Sequence, residues 1–270
     1  MILKFRDKKL ELGKRTIIMG ILNITPDSFS DGGEYIDIYK SIYHAQKMVE
    51  DGADIIDVGG ESTRPGSKIV SIDEELGRVI PVIEELSQIT NVPISIDTYK
   101  HEVAEAAILA GASIINDIWG LQKDKQMAVI AKKYNVPVIA MHNHDGNEYE
   151  KDIIEEIKMF FNKTLKIAKE NNISKNMIIL DPGIGFGKTY EQNIEIIQRL
   201  EELRELGPIL LGTSRKSTLG KILDLPPKDR IEGTLATTVI GIQKGVDIVR
   251  VHDVLENKRC AMVADKILRK

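Results

Sequence analysis

The chain has 270 residues, of which 42% are hydrophobic and 29% charged, and its formal net charge at pH 7 is -4. This composition is ordinary for a globular protein with a sizeable core and argues against a disordered chain. Lys and Arg are interspersed with Asp and Glu, so no basic patch for nucleic acid is visible. No apolar run approaches the roughly 20 residues that a membrane-spanning helix needs, and residues 1–15 lack the apolar segment of a signal peptide. We therefore expect a cytoplasmic protein without a membrane or nucleic-acid partner.

Short apolar runs rich in β-branched residues recur along the chain and predict strands. A small hairpin is expected first, over residues 3–12. Eight strands follow, at residues 16–22, 55–58, 93–96, 113–115, 137–141, 177–180, 209–211 and 247–251. The segments between them keep helical spacing of apolar residues, as in Ile38, Ile42, Ala45 and Val49. Strand and helix therefore alternate throughout.

This alternation predicts a parallel sheet whose strands are buried on both faces. Eight such units favour a closed (β/α)8 TIM barrel, preceded by the hairpin, over an open sheet. Gly52, Gly111, Gly207 and Gly245 each end a helical run just before a strand, as is typical of helix C-caps and tight αβ loops. No linker or shift in composition divides the chain, so we expect a single domain over residues 1–270.

Nearly every predicted strand ends in polar or ionisable side chains, and β/α barrels build their active sites at these ends. The residues are Asn23, Glu61, Ser62, Thr63, Arg64, Asp97, Asn116, His142, Asp181, Ser214, Arg215, Lys216, Arg250 and His252. A lone Asp or Asn after a strand is more often a helix cap or a turn residue. The recurrence at strand after strand, together with two such residues spaced two apart on the last strand, favours one shared site.

The chemistry of this set indicates a ligand with a hydrogen-bonding heterocycle and an anionic end. Asp97 and Asp181 can accept hydrogen bonds from ring N–H and amino groups, and Asn116 can both donate and accept. Arginine supplies a planar fork for phosphate or a flat face for stacking, and Arg250 is placed for either role.

Other patterns are weaker. His142 and His144 alternate at a strand end, but two histidines are too few ligands to predict a metal site, and neither HExxH nor a cysteine set is present. Residues 183–189 are similar to a P-loop but lack its spacing, so a flexible βα loop is expected. Cys260, the single cysteine, lies in a predicted C-terminal helix, where core packing is favoured over catalysis.

Seven motifs resemble those of the dihydropteroate synthase family, in order and over nearly the whole chain. They are GILNITPDSFSDGG at 20–33, DVGGESTRPGS at 57–67, SIDTYK at 95–100, NDIWG at 116–120, DPGIGFGKT at 181–189, GTSRKS at 212–217 and VRVHDV at 249–254. The resemblance implies a TIM barrel, Mg²⁺, a homodimer and a place in folate biosynthesis. The implied reaction joins a dihydropterin diphosphate to p-aminobenzoate and releases diphosphate.

The resemblance also implies roles for residues at matching positions. The pterin ring would be held by Asp97, Asn116, Asp181 and Lys216, with Met141 and Phe186 packed against it and Arg250 stacked over its face. The diphosphate would be bound by Asn23, Thr63, Arg250 and His252, with Asn23 also reaching Mg²⁺.

The loops after the first two barrel strands would shape the p-aminobenzoate site. They would contribute Phe29, Asp31, Arg64 and Pro65. Ser214, from the GTSRKS motif, is a further expected substrate contact. The residues expected to take part in catalysis are Asp31, Asp97, Lys216, Arg250 and His252. The segment Met141-His142-Asn143-His144 departs from the continuation that is more usual in the family.

The expected mechanism is electrostatic. A diphosphate on a methylene group next to an electron-rich ring can leave before the nucleophile attacks, and Mg²⁺, Arg250 and His252 would stabilise the departing anion. Lys216 would orient the ring or relay a proton, and the arylamine needs no dedicated base. Two alternatives are a methyltetrahydrofolate-dependent corrinoid methyltransferase and a non-catalytic pterin-binding protein. The SFSDGG and STRPG segments disfavour the first, and the full set of loop and strand-end residues disfavours the second.

Overall fold

The computed structural model describes residues 1–5, 8–24, 34–62 and 69–269. In these parts of the chain, strands β1 (Ile2–Phe5) and β2 (Lys8–Glu11) pair antiparallel. Eight parallel strands follow: β3 (Ile17–Asn23), β4 (Ile55–Gly59), β5 (Ile94–Asp97), β6 (Ile114–Asp117), β7 (Val138–Met141), β8 (Ile178–Asp181), β9 (Leu210–Leu211) and β10 (Ile248–Val251). The predicted hairpin and all eight predicted barrel strands are therefore present.

The eight strands lie in the order β8-β7-β6-β5-β4-β3-β10-β9. An isolated parallel bridge between Leu180 and Ile209 joins the two outer strands of this order. This contact closes the sheet on itself, and the predicted TIM barrel is confirmed.

Helices alternate with the barrel strands. They are α1 (Glu34–Glu50), α2 (Ile72–Ile89), α3 (His101–Ala110), α4 (Lys125–Tyr134), α5 (Ile153–Glu170), α6 (Tyr190–Gln198), α7 (Ser217–Leu223), α8 (Ile231–Gln243) and α9 (Val254–Leu268). Several begin at side chains that accept backbone N–H groups, such as Ser71 before α2 and Asp152 before α5. Within the described ranges, no helix has the length and apolar character needed to cross a membrane.

Two apolar clusters fill the fold because alternate side chains of each strand point to opposite faces. The larger cluster lies between the sheet and the helices. The smaller one fills the barrel with one or two residues from most strands, and the hairpin adds Leu3 and Leu10 together with Leu12. The hairpin therefore packs on the N-terminal end of the barrel, next to Ile17 at the start of β3. The opposite end carries the polar side chains.

The four glycines predicted to end helices differ in their backbone conformation. Gly52, Gly111 and Gly245 adopt φ values of 98°, 126° and 86°, which side chains other than glycine rarely adopt. Gly207 also lies between a helical turn and a strand but does not adopt this left-handed backbone. Its place before Pro208 accounts for the turn without a positive φ.

The last helix is joined to the first barrel strand by one carboxylate. Asp265 on α9 accepts hydrogen bonds from the Thr16 backbone N–H at 2.7 Å and the Thr16 hydroxyl at 2.8 Å. Arg269 donates to the same carboxylate at 2.7 Å. Thr16 is buried, so its N–H depends on this partner.

We expect Asp265→Ala to lower the free energy of unfolding by about 2 to 3 kcal/mol, because it leaves a buried N–H and a buried hydroxyl without an acceptor. Urea unfolding followed by circular dichroism measures the change. The control is Asp145→Ala, which removes an exposed carboxylate and should cost about 0.5 kcal/mol or less. Equal stability of the two variants would contradict the assignment.

Candidate active site

The strand-end residues predicted from the sequence lie at the C-terminal end of the barrel. Asn23, Asp97, Met141 and Asp181 are the last residues of β3, β5, β7 and β8, and Asn116 is the penultimate residue of β6. All of these except Asn23 are buried. Because the strands are parallel, these ends form a single mouth.

The Arg250 side chain crosses this mouth from β10 to β4 and β5, two strands that pair with each other but not with β10. Its Nε donates to Asp57 Oδ2 on β4 at 2.6 Å, and its Nη2 donates to Asp97 Oδ2 on β5 at 2.5 Å. The amide of Asn116 donates to the same Asp57 oxygen at 3.1 Å. One guanidinium group therefore pairs with two buried carboxylates, and these bonds fix the plane of the guanidinium group.

Asp57 is a site residue that the sequence analysis missed. It lies inside β4 and is fully buried, whereas the strand-end rule covers only residues that leave the strands. A usable signal was present: a carboxylate within the apolar run Ile55-Ile56-Asp57-Val58 requires a cationic or hydrogen-bonding partner. The structure provides that partner in Arg250.

Each of the two carboxylates has one oxygen that does not accept a hydrogen bond from Arg250. Asp57 Oδ1 and Asp97 Oδ1 are buried and have no hydrogen-bond partner among the described residues. Burial raises the pKa of Asp97 to about 7, with Arg250 opposing the rise and the Asp57 charge adding to it. Buried acceptors of this kind are normally satisfied, so they suit N–H donors of a ligand.

Asp181, Lys216 and Phe186 meet on the other side of the mouth. Lys216 Nζ donates to the Ile184 carbonyl and lies 4.8 Å from the centroid of the Phe186 ring. Asp181 Oδ1 accepts the Gly183 N–H at 2.8 Å. Desolvation lowers the pKa of Lys216 to about 8, although the Asp181 charge opposes this, and desolvation raises the pKa of Asp181.

Gly212 shows that the two sides border the same space. A Cβ atom on this glycine would lie 3.8 Å from Lys216 Nζ, 3.9 Å from Asp181 Oδ2 and 3.9 Å from Arg250 Cβ. A carboxylate, an ammonium group and the stem of the clamping arginine therefore all border the position of a side chain at residue 212. The polar groups among them can bond to a flat ring that has both donors and acceptors.

His252 and Ser214 form a pair at the rim. Ser214 Oγ lies 2.9 Å from His252 Nδ1 and accepts the His252 backbone N–H at 3.2 Å. The intervening loop residue Arg215 has φ 59° and binds both oxygens of Asp253, at 3.2 and 2.5 Å. The loop that carries Ser214 and Lys216 is thus fixed by an ion pair with the residue after His252.

Asn23 lies close to Asp97 across Gly59. A Cβ atom on Gly59 would be 3.7 Å from Asn23 Oδ1 and 3.8 Å from Asp97 Oδ2, so both oxygens border one small space. Magnesium prefers oxygen ligands of this kind and usually takes only one or two from the protein. Asn23 Oδ1 therefore fits a magnesium ion as an oxygen ligand, whereas Asp97 Oδ2 already accepts from Arg250.

The histidines form no comparable set. Within the described residues, the group of three His, Cys, Asp or Glu side chains close enough to share an ion is His101, Glu102 and Asp124, and it includes neither His142 nor His144. Asp124 in this group caps α4 and accepts the His101 backbone N–H, which accounts for its position. His142 is buried, and desolvation lowers its pKa to about 2.

Five predicted site residues lie outside the described residues. They are Phe29, Asp31, Thr63, Arg64 and Pro65. The residues that flank the last three are held by Lys100, whose Nζ donates to Glu61 at 2.6 Å, to Glu75 at 2.5 Å and to the Val70 carbonyl at 2.7 Å.

The loop between β8 and α6, for which the sequence predicts flexibility, contains several internal hydrogen bonds. Thr189 and Gln192 form a capping box at its end, and Gly185 N–H donates to Asn193 at 2.6 Å. Lys188 donates to carbonyls within the loop, at Gly183 and Phe186. These bonds fix the backbone, and glycine spacing alone did not reveal them.

Comparisons with known proteins cover the whole barrel. A family model described as "Pterin binding enzyme" matches residues 19–252. The dihydropteroate synthase of Clostridium beijerinckii is 58% identical, over 99% of this chain and 100% of that protein. The Clostridium difficile dihydropteroate synthase, solved in the presence of pteroic acid, has a TM-score of 0.95 and 59% identity, over 97% of this chain and 100% of that one. The Xanthomonas albilineans dihydropteroate synthase with 4-aminobenzoic acid has a TM-score of 0.91 and 38% identity, over 95% and 94%.

We expect Asp57→Asn to lower the pKa of Asp97, because the Asp57 charge raises that pKa and the freed guanidinium would then serve Asp97 alone. Asp97 should then stay ionised to a lower pH than in the unchanged protein. Carbon-13 NMR titration of labelled aspartate carboxyls measures the midpoint. Asp253→Asn, which removes a carboxylate paired with Arg215, is the control and should leave the midpoint in place; an unmoved midpoint in both variants would refute the coupling.

Proposed function

We propose, from the premise that this chain belongs to the dihydropteroate synthase family of pterin-binding enzymes, that its barrel mouth joins a dihydropterin diphosphate to p-aminobenzoate. The products are dihydropteroate and diphosphate, so the chain is a transferase of folate biosynthesis. The observation that carries the proposal is the space beside Gly212, where Asp181, Lys216 and Arg250 converge in a fold that matches an enzyme solved with pteroic acid.

The pterin ring would occupy this space. Asp97 Oδ1 and the Asp181 carboxylate would accept its N–H and amino groups, and the Asn116 amide would both donate and accept. Lys216, already tied to the Ile184 carbonyl, would donate to a ring acceptor. The Arg250 guanidinium, held by two carboxylates, would stack on the ring face, with Met141 and Phe186 as apolar walls.

The diphosphate would lie at the rim, toward His252 and Asn23. Arg250 and His252 would offset the negative charge that develops as the C–O bond to diphosphate breaks, and Ser214 would fix the imidazole. Asn23 would hold Mg²⁺, which would neutralise part of the diphosphate charge when bound. The arylamine of p-aminobenzoate would then attack the methylene carbon, and Lys216 would orient the ring or relay the released proton.

The p-aminobenzoate site is assigned to four of the residues outside the described ranges, Phe29, Asp31, Arg64 and Pro65, and the fifth, Thr63, would contact diphosphate. Lys100 supports this assignment, because it binds the chain on both sides of residues 63–68. The ligand of the Xanthomonas albilineans relative, 4-aminobenzoic acid, is the same compound.

The two alternatives are less well supported. The family description alone would also suit a corrinoid methyltransferase, since both use a pterin-binding barrel. The relatives that match at 58% and 59% identity are dihydropteroate synthases, however, and the Asn23, Arg250 and His252 set suits a diphosphate. A non-catalytic pterin binder would not need this anionic subsite.

One assay separates these functions. The purified protein is incubated with dihydropterin diphosphate, Mg²⁺ and p-aminobenzoate, and dihydropteroate is measured; a parallel reaction offers methyltetrahydrofolate and a corrinoid acceptor. Dihydropteroate in the first reaction alone supports the proposal. Methyl transfer without dihydropteroate formation, or pterin binding without either product, would overturn it.

Substitutions of His252 and Arg250 should separate the ring site from the diphosphate site. We expect His252→Ala to weaken binding of the pterin diphosphate about tenfold while a pterin without diphosphate binds as before. Arg250→Ala should weaken both ligands, each by about 30-fold or more, because the guanidinium would contact ring and phosphate. Calorimetry with both ligands gives four affinities; a His252→Ala protein that binds the bare pterin equally poorly would contradict this division.

We also propose a single domain and a homodimer. Strands from both halves of the chain belong to one sheet, which supports the single domain over residues 1–270. Exposed apolar side chains concentrate near the C-terminus, on and beside helices α7, α8 and α9: Ile222, Leu223, Leu225, Val239, Ile240, Met262, Val263, Ile267 and Leu268. Apolar side chains exposed in such number favour a protein partner, and a second copy of the chain is the simplest one.

We expect Val263→Glu to convert the dimer to monomer, because it introduces a charge into this apolar surface. Sedimentation velocity at several concentrations measures the mass. Leu109→Glu is the matched control, since Leu109 on α3 is 69% exposed and Val263 is 62% exposed. A mass that is the same in both variants and in the unchanged protein would place the interface elsewhere.

A further inference from the structure

Lys188 is a cation that the proposed reaction leaves unused. It lies in the loop between β8 and α6, directly before the Thr189 cap of α6. Its Nζ donates to three backbone carbonyls: Phe186 at 2.8 Å, Gly183 at 2.9 Å and His142 at 3.4 Å. An ammonium group has three N–H donors, so these carbonyls account for all of them.

The loop backbone is shaped to surround this ammonium group. Gly183, Gly185 and Gly187 have φ values of 69°, 84° and 55°, so the chain turns sharply at every second residue. A Cβ atom on Gly183 would overlap the His142 carbonyl oxygen, and one on Gly187 would overlap the His144 carbonyl oxygen. The loop therefore lies directly against the segment after β7, and Lys188 is bonded to both.

The same loop carries two groups that contact Lys216. The Ile184 carbonyl accepts from Lys216, whereas the carbonyls of Gly183 and Phe186, on either side, accept from Lys188. The Phe186 ring faces the Lys216 ammonium group. Residues 183–186 thus lie between two lysines. Lys188 bonds to their carbonyls within the loop, and Lys216 bonds to them from the mouth.

The surroundings of Lys188 partly oppose its charge. Desolvation lowers its pKa to about 7, with the Asp181 charge opposing this and the Lys216 charge adding to it. His142, the neighbouring titratable ring, is neutral because its own pKa is lowered to about 2. Carbonyl oxygens that converge in this way would otherwise repel one another, and an ammonium group satisfies all three.

We propose that Lys188 is a positioning residue for the pterin subsite. Its ammonium group bonds to carbonyls of the loop and thereby holds the Ile184 carbonyl and the Phe186 ring against Lys216. The inference rests on the proposed function, because it assigns the ring to the space beside these groups. It makes the affinity for the pterin depend on a side chain that does not contact the ligand.

The test compares Lys188→Ala and Lys188→Met with the unchanged protein and with Lys8→Ala. Lys8 also donates to a backbone carbonyl, that of Asn91 at 3.0 Å, but lies in β2 of the hairpin, at the opposite end of the barrel. We expect both Lys188 variants to raise the KM for the pterin diphosphate and the Kd for a bare pterin at least tenfold. The KM for p-aminobenzoate and the values for Lys8→Ala should stay within a factor of two.

Chemical rescue distinguishes positioning from general loss of structure. Propylammonium supplies the atoms that Lys188→Ala removes, so it should restore pterin affinity in that variant. Propanol lacks the charge and tetramethylammonium lacks N–H donors, so neither should restore it. Lys188→Met retains the bulk of the stem and should gain nothing from propylammonium.

The outcomes separate the two proposals. An unchanged protein that makes no dihydropteroate and binds no pterin would overturn the proposed function itself. If the unchanged protein is active, then normal pterin affinity in the Lys188 variants, or rescue by propanol as effective as by propylammonium, would overturn the positioning role. Failure of both variants to fold, as measured by circular dichroism, would also overturn it, since Lys188 would then be needed for the fold.

Discussion

The site depends on one buried guanidinium group between two carboxylates. Arg250 joins β10 to Asp57 on β4 and Asp97 on β5, and thereby braces the mouth across three strands that do not all pair directly. Removing any partner would leave an uncompensated buried charge, which is far more costly than losing the pair as a whole. The pairing uses one oxygen of each carboxylate and leaves the other for a ligand. Structural support and ligand recognition are therefore properties of the same ion cluster.

Acidic and basic side chains interact across the mouth. Asp57 and Asp97 pair with Arg250, and the Asp181 charge interacts with Lys216 and Lys188. Burial raises the pKa of the Asp97 and Asp181 carboxyls and lowers the pKa of both lysines, so the protonation of these groups depends on what binds among them. In the proposed site the diphosphate part lies at the rim, toward Arg250 and His252. The ring part lies among the buried carboxylates and lysines.

The sequence predicts the barrel well because its signals are local. Each buried strand is a short apolar run, and each helix keeps its own periodicity, so the eight units could be read independently. Strand-end residues such as Asp181 and Asn116 could be found once the barrel was assumed. Asp57 could not be found by that rule, since its position is defined by a partner 193 residues away in the chain. Lys188 lies in a segment similar to a P-loop, but the groups that it binds are carbonyl oxygens, which no sequence pattern displays.

Lys188 and Lys100 each hold chain segments at the mouth through polar contacts. Loops at the mouth carry few apolar side chains into the core, so their backbone must be held by polar groups. Lys188 does this through three carbonyls of its own loop and the neighbouring one, whereas Lys100 uses two carboxylates and the Val70 carbonyl. A bond to carbonyls fixes the backbone itself, which suits a rigid wall for a flat ring. The ion pairs of Lys100 with Glu61 and Glu75 instead join side chains, so they connect the segment after β4 to helix α2.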